Sequence, residues 1–190
     1  MADQYLFVFP AKRYLKEGDH EVGKLDLIIN ARYGRGSGYE TNWLLFSSPQ
    51  NYAEPDFESV DNRMPVRDGG RILVAGITLA DCIEREVRFD PDYVLSQLPS
   101  TRKLVVGGFH DADCVERIAA AAHAKGFEVL VDEDTTDMFF TRRALGIEIP
   151  LERRVWSLKD FGMAASQEAP SWVVETFREY RRDKPYRVKV

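Results

Sequence analysis

Both cysteines of the chain stand at the same kind of junction. Arg71-Ile-Leu-Val-Ala-Gly-Ile-Thr-Leu-Ala-Asp-Cys82-Ile-Glu-Arg85 and Lys103-Leu-Val-Val-Gly-Gly-Phe-His-Asp-Ala-Asp-Cys114-Val-Glu-Arg117 each pass from an apolar run through glycine to Asp-Cys and a charged segment. A cysteine on the first turn of a helix feels the positive end of the helix dipole, which lowers the thiol pKa and favours the nucleophilic thiolate. Cys114 is then a candidate nucleophile. His110, four residues earlier, titrates near neutrality and suits a general base or a metal ligand. Asp134 offers a second group for proton transfer. The opposite readings are equally physical. A cysteine packs well as a small hydrophobe, Asp111 and Asp113 raise the pKa of a neighbouring thiol, and a histidine on a turn can simply cap or pack. Asp134 before Thr135 and Thr136 is also a plain helix N-cap signal. His110, Asp111, Asp113 and Cys114 are metal-ligating types but lack the recurrent spacings of metal sites, so neither a metal nor a cofactor is expected.

These residues need a scaffold that aligns strand ends. Tyr5 to Phe9 is an apolar and aromatic run closed by Pro10, as in a buried strand that stops abruptly. Lys24 to Tyr33 has helical spacing and is closed by glycines at 34, 36 and 38. Trp43 to Phe46 predicts a second strand, and residues 48 to 70 a long polar loop. Strands at Ile72 to Ala75, Leu104 to Gly108 and from Val129 follow. Between and after them come helices carrying each Asp-Cys pair, a helix over 90 to 98, one over Thr135 to Leu145, and one over Ala169 to Tyr180. Alternation at these lengths predicts a single α/β domain over residues 1–190. Its sheet is mainly parallel, with about five or six strands and helices on both faces, a three-layer, Rossmann-like architecture. The 32-residue repeat predicts two neighbouring strand–helix units, and the rim at the ends of the third, fourth and fifth strands is the expected site. Gly108, Phe109, Asp111, Asp113 and Thr78, on the two strand-to-helix turns, are the candidate ligand contacts.

The second copy continues through an alanine-rich helix to Gly126, a Val-rich strand and Asp134. Gly108, Cys114, Val115, Ile118, Ala119, Ala122, Gly126, Phe127, Val129, Val131 and Asp134 fall at the spacings of the isochorismatase-like cysteine hydrolases, which residues 103 to 136 therefore resemble. The resemblance implies an isochorismatase-like fold. It also implies hydrolysis of a small amide, ester or vinyl-ether substrate, with Cys114 as nucleophile and the backbone around His110 in the oxyanion hole. The same family places an essential Asp at the end of the first strand and a Lys further on. Here Pro10, Ala11 and Lys12 follow that strand, and no lysine aligns near Arg85, Glu86 and Arg88. The alternative is a non-catalytic small-ligand-binding or protein-interaction module on the same fold.

Composition excludes other classes. With 44% hydrophobic and 30% charged residues the chain has an ordinary globular composition. Its apolar runs are too short to cross a bilayer and no signal pattern opens it, so a cytoplasmic location and free thiols are expected. A net charge of -5 argues against a nucleic-acid partner. The basic run from Arg178 to Lys189 reads as a solvated tail, and Trp172, Val173, Phe177 and Tyr180 as sheet packing or a homo-oligomer surface. Arg32 to Tyr39 is a glycine-rich basic loop whose backbone could approach a phosphate. It lacks the phosphate-loop pattern and follows a helix, so it reads as a helix C-cap and linker.

Overall fold

The computed structural model describes residues 2–15, 21–144, 146, 148–149 and 151–152. The helix expected over 169–180, the basic run from Arg178 and the candidate oligomer surface lie outside these residues. Among them, five strands form one parallel sheet: β1 (Asp3–Val8), β2 (Tyr39–Leu45), β3 (Arg71–Val74), β4 (Lys103–Gly108) and β5 (Glu128–Thr136). Their spatial order is β3-β2-β1-β4-β5, so the chain winds outward from β1 in one direction and then in the other. The helices are α1 (Val22–Tyr33), α2 (Leu79–Glu84), α3 (Pro91–Ser96), α4 (Glu116–Ala124) and α5 (Met138–Ala144).

Strand alternation sorts the side chains into two cores. Leu6 and Val8 of β1, with Val129 and Val131 of β5, pack beneath α3 and α4 together with Val94, Leu95, Ile118, Ala119 and Ala122. Tyr5, Phe7 and Leu130 face the other way, against Leu25, Ile28 and Ile29 of α1 and Phe139 of α5. These are the three layers expected. No helix among the described residues is long and apolar enough to cross a membrane.

Several expected boundaries move, each for a local reason. β5 runs on through Asp132, Glu133, Asp134, Thr135 and Thr136, so the three acids lie inside the strand, and it is the Thr136 hydroxyl that accepts from Met138 N–H at the start of α5, at 3.3 Å. The charges of Asp132 and Asp134 are tolerated because partners reach them from α1. Cys114 lies in a single wide π turn (Asp111–Val115) ahead of α4 instead of on the first α-helical turn. The two copies of the repeat are not neighbours, since β2 and β1 separate β3 from β4. Reversal of the winding at β1 carries the second copy to the far half of the sheet. β3 therefore shares no rim with β4 and β5, and the winding reverses between β1 and β4, the kind of position where open α/β sheets commonly hold ligands.

Candidate functional site

At their carboxyl ends β1 and β4 approach very closely. Gly108 pairs with Val8, has φ +105°, and a Cβ on it would stand 2.2 Å from the Val8 carbonyl oxygen. The next amide, Phe109 N–H, donates to the same oxygen at 2.9 Å. Phe109 itself is buried, with ring contacts to Phe7, Tyr14 and Phe140, so its side chain belongs to the core. A cis peptide joins it to His110. His110 is 47% exposed, packs edge-on against Tyr14 at 4.6 Å, and places Nδ1 3.5 Å from Oδ2 of Asp137.

Cys114 is placed differently. It is only 3% exposed and sits in the apolar core with Val115, Ile118 and the β1 side chains. Burial first, and the Asp113 charge second, push its thiol up to about 12. Asp113 is occupied outward, accepting from Arg117 Nε at 2.7 Å and pairing with Arg88 at 3.4 Å. Asp111 opens the π turn, and its side chain lies outside the described part. Both cysteines are free thiols, with Cys82 the less buried. They converge on Tyr14, whose hydroxyl is held protonated by burial first and by Cys82 and Cys114 after it.

Asp134 is not brought to Cys114. Arg32, from α1 on the opposite face, donates from Nη1 to Asp132 at 2.8 and 2.9 Å and from Nη2 to Asp134 at 3.0 Å. The Tyr33 hydroxyl donates to Asp132 at 2.5 Å, and Arg32 Nε to the Leu151 carbonyl at 3.0 Å. The Arg32 side chain is wholly inaccessible. Burial works against its charge, but Asp132 and Asp134 more than restore it. Beside this cluster the buried Tyr5 hydroxyl is held well up, by desolvation and then by Asp132. The sequence carried a signal for the cluster. Arg32 falls on the stripe of Leu25, Ile28 and Ile29, and Asp132 and Asp134 share one strand face, so each is a charge on a core-facing position.

Thr78 caps α2. Its hydroxyl and its N–H both donate to Asp81 Oδ2, at 2.8 and 3.1 Å, and Asp81 N–H donates back to the hydroxyl at 3.0 Å. Tyr52 adds a bond to Oδ2 at 2.8 Å and Arg85 one to Oδ1 at 2.9 Å. The Thr78 backbone bond first, then Tyr52, hold the Asp81 carboxyl down at about 2. A depressed native pKa gives stability that is fully present above the ordinary carboxylate range, near pH ~4, and is lost as pH falls through about 2. Asp81→Asn is therefore expected to flatten the pH dependence of the melting temperature over that acid window, as thermal melts would show. Thr78 and Asp81 also line a cleft of about 510 Å³ with Arg13 and Tyr52. Among the described residues no three His, Cys, Asp or Glu side chains are grouped to hold a metal ion.

No protein-family model matches the sequence, and no curated protein is significantly similar to it. Solved structures do match. Pyrazinamidase of Pyrococcus horikoshii, in complex with zinc, is 14% identical over 79% of this chain and 99% of that chain, with a TM-score of 0.51. N-carbamoylsarcosine amidase from Thermoplasma acidophilum is 19% identical over 81% and 96%, with a TM-score of 0.46. An isochorismatase family protein from Desulfovibrio vulgaris subsp. vulgaris str. Hildenborough is 14% identical over 79% and 94%, with a TM-score of 0.49. With its parallel sheet and its two helical layers, the chain shares the three-layer α/β fold of that pyrazinamidase.

Proposed function

We propose that this chain is a small-ligand-binding module on the isochorismatase-like fold. In this reading Cys114 is a packing residue, and His110, exposed on the turn that follows β4, is the ligand contact. The observation that carries it is the burial of the Cys114 side chain in an apolar core. Burial first, and the Asp113 charge second, disfavour the thiolate, so the attacking species is scarcer than in a free cysteine. The His110 backbone and Arg88 act the other way, but less than burial does. Residues 9–15 contain no carboxylate, and Lys12, the cation closest to the end of β1, spends its amine on the Glu58 carbonyl at 2.8 Å. His110 is instead half-exposed, with Asp137 and Tyr14 to orient its ring.

The competing reading, a hydrolase of small amides, esters or vinyl ethers acting through Cys114, is supported by the likeness to a pyrazinamidase. One experiment separates the two. Wild type, Cys114→Ser and His110→Ala are assayed for turnover of pyrazinamide, nicotinamide and a vinyl ether, and screened by thermal shift with small acids and amides. The binding reading expects no turnover that depends on Cys114, and a stabilising ligand whose effect survives Cys114→Ser and disappears in His110→Ala. Amide turnover abolished by Cys114→Ser would overturn it.

A further inference from the structure

We propose that a second cleft, at the amino ends of β2 and β3, binds a mononucleotide-sized organic phosphate. The cleft holds about 650 Å³, within the usual range for small-molecule sites. Two glycine-arginine steps from distant parts of the chain meet there, Gly34-Arg35 leaving α1 and Gly70-Arg71 entering β3. Both steps are anchored. The Thr41 hydroxyl donates to the Tyr33 carbonyl at 2.8 Å, and Trp43 Nε1 donates to the Gly69 carbonyl at 2.9 Å. Among the described residues neither Arg35 nor Arg71 has a carboxylate partner. Two exposed guanidiniums lining one cleft are of the type that holds a phosphate bidentately.

The remaining lining narrows the ligand. Tyr39 presents a half-buried ring between the two arginines in sequence and on the same cleft, a surface for a flat base. Glu40, Asp68 and the carboxyl end of α1 also border the cleft and oppose an anion, each by about two- to fivefold in affinity, whereas each charged hydrogen bond from an arginine favours it by about tenfold or more. Glu40 accepts from Gln4 Nε2 at 3.2 Å. A long polyanion is disfavoured by the net charge of -5, which selects a small phosphate over a nucleic acid.

The test is calorimetric titration of the whole chain with AMP, ribose 5-phosphate, adenosine and inorganic phosphate. AMP is expected to bind saturably, ribose 5-phosphate about tenfold more weakly, and adenosine not measurably. Arg35→Ala and Arg71→Ala should each weaken AMP by about tenfold or more, with partial recovery in the lysine variants. Tyr39→Ala should weaken AMP and leave ribose 5-phosphate unchanged. No heat with AMP up to about 5 mM, where even a millimolar site would be mostly filled, would overturn the proposal. So would AMP binding unchanged in the double alanine variant, or AMP and inorganic phosphate binding equally well.

Discussion

Arg32→Met is expected to destabilise the protein by about 3–5 kcal/mol, because it strands two carboxylates in a closed interior. Asp132 and Asp134 are both buried, and the guanidinium is their common partner. Without it, at least one must take up a proton or drag water into the interface between α1 and β5. For a domain of this size the loss corresponds to a fall of roughly 6–20 °C in melting temperature. Adding Asp132→Asn and Asp134→Asn to Arg32→Met should recover part of the loss, since neutral amides are far cheaper to bury than unpaired charges. A melting temperature within about 2 °C of wild type in Arg32→Met would show that the cluster is not what ties α1 to β5.

Gly108→Ala should be nearly as damaging, for a steric reason instead of an electrostatic one. A methyl group there would overlap Val8 backbone atoms at 2.2 and 2.3 Å, at a φ that side chains rarely adopt. Overpacking and left-handed backbone each cost about 1–3 kcal/mol, so a combined loss of roughly 2–5 kcal/mol is expected. Relief requires β1 and β4 to separate at their carboxyl ends. The variant should therefore also expose the amide of Phe109, which now donates to Val8, to faster hydrogen exchange. A Gly108→Ala protein as stable as wild type, with Phe109 still protected, would contradict the close approach of these strands.

The two variants mark what was legible in the sequence. Continuous apolar runs such as Tyr5 to Phe9 and Leu104 to Gly108 carry the signature of strands buried on both faces, and so the parallel three-layer fold could be read directly. Sheet order could not. The repeat around Cys82 and Cys114 makes the two units look adjacent, while the order β3-β2-β1-β4-β5 depends on where the winding reverses, a matter of long-range packing. The close-packing glycine at 108 was legible as a strand end, but its contact with Val8 needed the neighbouring strand. The acids of β5 were legible as a group and not as a strand interior, because it takes the reach of Arg32 from α1 to make the buried carboxylates of Asp132 and Asp134 tolerable. The environment of Cys114 was the least legible. Local sequence offers a dipole that would lower its pKa, whereas the tertiary core around it raises that pKa.

That reversal carries the account of function, and the alkylation rate of Cys114 as a function of pH tests it most directly. In a Cys82→Ser background, iodoacetamide modification followed by mass spectrometry isolates the one remaining thiol. The account predicts slow labelling at neutral pH, rising only toward pH 12, and labelling at the rate of a free thiol once the protein is unfolded in guanidinium. Rapid modification of the folded protein at pH 7, with an apparent pKa below that of free cysteine, would contradict it and restore Cys114 as a nucleophile.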